Sequence, residues 1–232
     1  MELWQQLKCM DGLSVLPDEA LQALAAAQGE RIHKKRHRLF GEGETAEAVY
    51  FLLQGKVKLI KVNLDGLEKM LTIIRPGQFF GEIAVMDGSP APYTAETLEE
   101  VRLIAINKES FHKLLHQYPL MACELLRIEA KRLRHAYRHM KNLALLDTHG
   151  RVAASLVRLA HNDSVSEGNT ISIRTNLTRQ EMAQLIGTSR ETVSRILAEY
   201  ERLGILEIDR QTIIIRDMEE LRYRASGGRE RE

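Results

Sequence analysis

Cysteine is scarce in this chain. Two residues in 232, Cys9 and Cys123, give neither a disulfide framework nor a paired metal spacing. They cannot supply the about four thiolates of an iron–sulfur cluster. Long apolar runs are also missing, since none approaches the ~20 residues of a membrane span. The first residues, MELWQQLKCM, are too polar for a signal-peptide core. These absences point to the cytoplasm and to no membrane partner. Charge of one sign is missing too: the net charge is +1, so any binding of nucleic acid rests on local geometry rather than on a strong overall field. No nucleophile–base pair, metal triad or phosphate loop occurs, which argues against an enzyme. The pairs His112/His116 and His135/His139 have i, i+4 spacing amid Lys and Arg. They read as solvated helix surface, with haem ligation as the alternative. Cys123, close to a helical seam described below, reads as a buried structural thiol, with a redox switch at Cys9 or Cys123 as the alternative.

What is present is the composition of a globular protein, 44% apolar and 28% charged. Residues 1 to about 30 form a helical lead in which Pro17 opens a helix carrying Leu21 and Leu24. From about Glu30 to Lys108 the texture changes to short apolar runs: Val49–Leu53, Val57–Val62, Lys69–Ile74, Phe79–Val85 and Val101–Ile106. Glycines punctuate them, which predicts an antiparallel β-barrel or sandwich. Gln54-Gly55-Lys56 and Asp65-Gly66 read as its hairpin turns. Phe111–Tyr118 is helical. From Leu120 to Asp147 no Gly or Pro interrupts a long helix on which Leu126, Ala130, Leu133, Ala136 or Tyr137, Met140 and Leu143 recur at heptad spacing. Such a seam predicts a homodimer contact. Gly150 marks a hinge, Arg151–His161 an amphipathic helix, Asn162–Asn169 a polar loop, and Thr170–Arg174 a short strand.

The stretch LTRQEMAQLIGTSRETVSRILAEYERL, Leu177 to Leu203, reads as two helices around a tight turn. Thr178 and Glu181 have the spacing of a capping box, and Gly187-Thr188 breaks the run. Ser189 caps the second helix. Val193, Ile196, Leu197 and Tyr200 share one face of it, while Arg190, Glu191, Ser194 and Arg195 fall on the other. Arg, Glu and Ser at the start of a helix are groups that hydrogen-bond base edges in the major groove. A helical hairpin with a solvated face is the plainer alternative. Gly204 ends the second helix, and Ile205–Ile208 with Thr212–Arg216 form a hairpin wing closed by Asp209-Arg210-Gln211. Residues 225–232 read as a disordered tail.

TRQEMAQLIGTSRETVSRIL resembles, without a gap, the helix-turn-helix of the catabolite-activator/fumarate-nitrate regulator (CRP/FNR) family of bacterial transcription factors. The whole layout is similar to that family. The resemblance implies an α+β protein divided into a β-roll effector domain at 1–118 (cyclic-nucleotide-binding-like), a dimerisation helix at 119–147 and a winged helix-turn-helix at 148–224. It further implies a homodimer on a palindromic operator, with RNA polymerase as a partner. Glu191, Ser194 and Arg195 correspond to the reading set of the FNR branch and Arg190 to a residue of the CRP branch, which implies a half-site similar to TTGAT or TGTGA. Arg179 is placed on phosphate, beside Thr178 and Ser189 at the helix starts.

Phe80-Gly81-Glu82-Ile83-Ala84 resembles the opening of the family's phosphate-binding cassette, in which Glu meets a ribose hydroxyl and a later Arg holds the cyclic phosphate. Here Ala91 stands at the Arg position and Pro92, which lacks an amide donor, follows. Ala136 and Tyr137 stand where the family touches adenine. With these anchors changed, cyclic AMP is disfavoured and no cofactor is assigned. An unidentified small molecule near Gly81, Glu82, Tyr93 and Tyr137 is the expected effector. A ligand-binding regulator, of haem or another small molecule, whose winged helix contacts protein is the alternative function.

Overall fold

The structure, a computed structural model, describes residues 2–45, 47–66, 68–167, 170–174, 177–209 and 212–228. The chain forms two compact units, Met1–Leu133 and Arg134–Glu232. The boundary between them falls inside residues 119–147, the stretch that the sequence predicts as one dimerisation helix.

The first unit begins with α1 (Leu3–Lys8) and α2 (Asp18–Ala27). Pro17 stands at the N-cap of α2, and Asp18 and Glu19 occupy its first turn, where the helix dipole favours carboxylates. Leu21 and Leu24 are buried. Among the described residues eight strands follow: β1 (Arg31–His33), β2 (Arg38–Phe40), β3 (Ala48–Gln54), β4 (Val57–Val62), β5 (Glu68–Ile74), β6 (Phe79–Phe80), then, after α3 (Glu82–Asp87), β7 (Thr94–Thr97) and β8 (Val101–Asn107). They make two antiparallel sheets, β1-β8-β3-β6 and β2-β7-β4-β5. Facing side chains such as Leu52, Val57, Phe80, Ala95 and Leu103 close the space between them.

Gln54-Gly55-Lys56 is a turn but not a hairpin: β3 pairs with β8 and β6, whereas β4 pairs with β5 and β7, so the chain changes sheets at Gly55. The apolar run Phe79–Val85 is not one strand either. It breaks at Gly81, which takes φ +84°, and continues as α3. A Cβ at Gly81 would sit 3.0 Å from the Ala48 carbonyl, so both conformation and space require glycine.

Helix α4 (Lys108–Gln117) starts where the Asn107 side chain accepts from the Ser110 amide. Helix α5 (Pro119–Leu145) carries Met121, Leu125 and Ile128 into the first unit's core. Its other apolar positions stand out: Leu126 is 71% exposed, Leu133 53%, Met140 56% and Leu143 44%.

The second unit contains α6 (Thr148–Asp163), β9 (Ser164–Glu167), β10 (Thr170–Arg174), α7 (Arg179–Ile186), α8 (Arg190–Arg202), β11 (Leu206–Asp209), β12 (Thr212–Ile215) and α9 (Met218–Ala225). The strands form one sheet, β11-β12-β10-β9. The segment expected as a polar loop therefore contains a strand: β9 pairs with β10 through its backbone, which an edge strand can do without an apolar pattern. The wing is present as β11 and β12, while Arg210 and Gln211 of its turn lie outside the described residues. The break between α5 and α6 falls at Leu146 and Asp147, and the Asp147 carboxylate accepts from the Gly150 amide at 2.8 Å. Gly150 lies inside α6, and a Cβ there would sit 3.2 Å from the Arg224 carbonyl. Close packing against α9, not hinge freedom, accounts for the glycine. Helix α9 was not anticipated. Its Asp217 cap accepts from the Glu220 amide, and backbone bonds continue to Gly228. Residues 225–228, expected in a disordered tail, are thus tied to the end of α9, and the rest of that expected tail, 229–232, lies outside the described residues.

Candidate nucleic-acid interface and ligand cavity

The helix pair α7–α8 is fixed by its caps. The Thr178 hydroxyl accepts from the Glu181 amide at 3.2 Å, and the Glu181 carboxylate accepts from the Thr178 amide at 2.7 Å. Gly187 closes α7 at φ +81°. Ser189 caps α8 by accepting from the Thr192 amide at 3.2 Å. At the far end Gly204 donates to Glu201 O and Ile205 to Tyr200 O, the paired bonds of a Schellman stop.

Val193, Ile196, Leu197 and Tyr200 are buried together with Met182, Ala183, Ile186 and the α6 residues Val152 and Leu156. Tyr200 ties the pair to α6: its hydroxyl donates to the His149 carbonyl at 2.9 Å, and burial pushes its pKa up to about 12. Anchoring one face leaves the other to solvent. Arg190, Glu191, Ser194 and Arg195 are all exposed on the first turns of α8. Among the described residues Arg190, Glu191 and Arg195 have no ion pair. The Ser194 hydroxyl donates back to the Arg190 carbonyl at 3.0 Å, leaving its lone pairs outward. Two guanidinium forks, one carboxylate and one hydroxyl therefore project from one exposed surface. Arg179 behaves differently. It is half-buried, lies 3.6 Å from the Met182 sulfur, and is held below the usual arginine range by burial.

The first unit holds a cavity of about 310 Å³ lined by residues that include Phe40, Tyr50, Gly81, Ala91, Pro92 and Tyr93. Phe40, Tyr50 and Phe80 stack with centroids 5.2–6.1 Å apart. The charged groups among its described lining residues are Glu44 and Glu47, with no Lys, Arg or His. Glu44 is paired with Arg38 and accepts from the Gly41 amide. Donors at the cassette are consumed internally: the Ala91 amide donates to Glu44 O at 2.8 Å, and the Gly81 amide to the Tyr93 hydroxyl at 3.2 Å. Tyr93 is raised well above the usual phenol range by burial and by the Glu82 charge.

Glu82 is buried, and its Oε1 accepts from Arg132 Nη1 at 2.8 Å. Arg132 also reaches Glu129 and the Phe79 carbonyl, and its guanidinium lies 4.3 Å above the Phe79 ring. Glu82 Oε2 has no partner, and burial raises the carboxyl above its usual range against the pull of Arg132. Sequence reasoning missed Arg132. It sits on α5 one position before the seam residue Leu133, and no local pattern links it to Glu82 fifty residues away. Ala136 and Tyr137 belong to the second unit and are exposed there; the cavity is built from first-unit residues alone. Cys123 is exposed, not buried as expected, as is Cys9. No described helix is long and apolar enough to cross a membrane.

Comparison with known proteins agrees with this division. Residues 30–118 match the cyclic nucleotide-binding domain and residues 150–224 the Crp-like helix-turn-helix domain. The chain is 35% identical to the "CRP-like cAMP-activated global transcriptional regulator" of Mycobacterium tuberculosis, over 82% of this chain and 84% of that protein. It is 32% identical to the "Cyclic AMP receptor protein" of Thermus thermophilus, over 87% and 89%. Among solved structures, FixK2 from Bradyrhizobium japonicum superposes with a TM-score of 0.77 at 25% identity, covering 88% of this chain and 99% of that one.

Proposed function

Because the chain belongs to the CRP/FNR family of bacterial transcription regulators, whose members bind DNA through this helix-turn-helix and are not enzymes, we propose that it acts as a homodimer on an inverted-repeat operator without control by cyclic AMP. The observation that carries the DNA reading is the exposed set Arg190, Glu191, Ser194 and Arg195 on a helix whose opposite face is buried. Arg195 takes guanine O6 and N7, while Glu191 accepts from cytosine N4. Ser194 turns its hydroxyl from the Arg190 carbonyl to a base. Arg179, Thr178 and Ser189 meet the phosphate backbone. Arg179 must first leave its half-buried place beside Met182.

The exposed seam of Leu126, Ala130, Leu133, Met140 and Leu143 supports the dimer, since large apolar side chains aligned along one face call for a partner. Two-fold pairing sets the reading helices about 34–36 Å apart and so selects half-sites one turn apart. A cytoplasmic location and contact with RNA polymerase accompany this role.

The named relatives are cAMP-activated or cyclic AMP receptors, so the proposal departs from them on the effector. A cyclic phosphate needs a paired cation and free donors. The described lining of the first-unit cavity offers carboxylates instead, and the Ala91 and Gly81 amides are already bonded within the fold. The effector, where one acts, is a neutral or cationic molecule seated among Phe40, Tyr50 and Tyr93. The test pairs operator titrations by mobility shift, with scrambled-sequence competitor, and calorimetry with cyclic AMP and cyclic GMP. We expect specific binding without either nucleotide. Micromolar cyclic AMP binding with a large gain in operator affinity would overturn the effector reading and leave the DNA reading intact.

A further inference from the structure

A second cavity, of about 410 Å³, lies wholly within the second unit, where the end of α5, the body of α6 and the end of α7 meet. Its chemistry is the reverse of the first. Arg138 and His135 come from α5, Arg151 and Arg158 from α6, and no Asp or Glu is among its described lining residues. Leu185 and Ile186 of α7 provide an apolar floor.

Two donors here are unused. Arg151 sends its terminal nitrogens to the Leu146 carbonyl at 3.2 Å and the Thr148 hydroxyl at 3.3 Å, which leaves Nε shut off from solvent and unpaired. Ser155, one turn further on α6, is 8% exposed, and its hydroxyl has no partner. Buried donors without acceptors are costly and rare, so a pair on one helix face calls for an acceptor. The local field has the matching sign: burial, then Arg138, Arg158 and His161, hold the His135 imidazole below its usual pKa. Arg138 donates to that ring at 3.0 Å. Among the described residues, no three of His, Cys, Asp and Glu group as metal ligands would.

We propose that this cavity binds a small organic anion with an apolar body, a carboxylate or phosphate monoester carrying an aromatic or acyl group. Its charged end meets Arg151 and Ser155 within the arginine wall, and its body lies on Leu185 and Ile186. Such a ligand would touch α5, α6 and α7 at once and so bias the helix that precedes the reading helix. By the 3.6-residue period, His135, Arg138 and Asn142 fall on the side of α5 opposite Leu133, Tyr137 and Met140. Pairing through the seam therefore leaves the cavity open. The site is distinct from the first-unit cavity and from the base-reading surface.

The test titrates the full-length protein with phenyl phosphate and with its two halves, inorganic phosphate and phenol. Calorimetry and the NMR ring signals of His135, His139 and His161 are the readouts. We expect phenyl phosphate to bind one per chain, to move these ring signals, and to exceed either half by at least about tenfold, since charge and apolar surface are both engaged. Arg151→Gln should weaken binding by about tenfold or more. Ser155→Ala, which removes no helix-start contact and deletes an unpaired buried hydroxyl, should weaken it several-fold while leaving thermal stability equal or higher and operator binding unchanged. Phenol binding as well as phenyl phosphate, no effect of Ser155→Ala, or ligand-induced shifts at Tyr50 and Tyr93 instead of the histidines would each overturn the proposal. DNA backbone is the other source of phosphate. Displacement of phenyl phosphate by operator, with a reduced salt slope of DNA binding in Arg158→Gln, would assign the wall to DNA and overturn it too. Operator binding itself is measured separately, so loss of the DNA reading would be seen on its own.

Discussion

Helices α5 and α8 are built on the same plan and end with opposite surfaces. Each buries one apolar stripe: Met121, Leu125 and Ile128 on α5, and Val193, Ile196, Leu197 and Tyr200 on α8. Each leaves a second stripe in solvent. On α5 it is Leu126, Leu133, Met140 and Leu143; on α8 it is Arg190, Glu191, Ser194 and Arg195. The buried stripes explain why the helices are held. The exposed ones differ in what would complete them. Exposed leucine loses free energy to water until another apolar surface covers it, whereas exposed arginine is well solvated and gains only from a partner with matching acceptors. Exposure alone says little about function; the chemistry of the exposed stripe decides.

The contrast breaks most visibly at Leu133. Covering a large side chain contributes about 1.5–3 kcal/mol, and two-fold symmetry counts it twice. Leu133→Glu also places two carboxylates at the seam, so monomers or aggregates should replace dimers in light scattering. A wild-type chain that is monomeric at micromolar concentration would remove the basis of the seam. The α8 stripe should respond more gently. Arg195→Ala should cost about 1–3 kcal/mol on the operator and relax preference at one base pair. Arg179→Ala should weaken specific and random DNA alike and flatten the salt dependence. Equal losses on both DNAs for both variants would contradict the division between base and phosphate contacts.

Much of this was legible because it rests on local rules. The caps at Thr178 and Ser189, the stop at Gly204 and the alternating stripes of α5 and α8 depend on residues within a few positions of one another. What was not legible depends on the fold bringing distant residues together. Gly55 looks like a hairpin turn, but the pairing of β3 with β8 sends the chain to the other sheet. Gly150 looks like a hinge until α9, more than sixty residues later, packs against it. Strand β9 lacks an apolar pattern to announce it, and its pairing with β10 runs through the backbone. Arg132 carries no signature, since its partner Glu82 is supplied by another element. The basic cavity of the second unit hides in two i, i+4 histidines that read as ordinary surface.

A change at the cap rather than on a stripe sharpens the same comparison. Thr178→Ala removes the acceptor for the Glu181 amide and should lower the melting stability of the second unit by about 1 kcal/mol. Base preference should be unchanged, because the α8 stripe is untouched. A specificity change in this variant would mean that α7 does more than position its neighbour.

The smallest effect is expected at Glu82, where α5 offers a third kind of surface: a guanidinium turned inward. Arg132 lowers the carboxyl's proton affinity, and burial raises it. Only Oε1 is paired, so half of the carboxylate has nothing to compensate its lost water, and burial wins. The folded-state pKa therefore lies above that of the unfolded chain. Between those two values the folded state holds the extra proton, and stability falls as pH rises through the window. Wherever the carboxyl is ionised, its burial is a net cost that Arg132 only partly offsets. Glu82→Gln should then be nearly neutral in thermal melts at pH 7. As pH is lowered through the folded-state pKa, the wild type should gain stability relative to the variant, because only the wild type takes up the proton. The melting difference between the two chains, followed from pH 7 down to about pH 4, just below the ordinary carboxylate value of an unfolded chain, reads this directly. A wild type that instead loses ground to Glu82→Gln on acidification would show that the Arg132 pair outweighs desolvation. Arg132 would then be the dominant tie between α5 and α3, holding an ionised Glu82 at every pH where the fold persists.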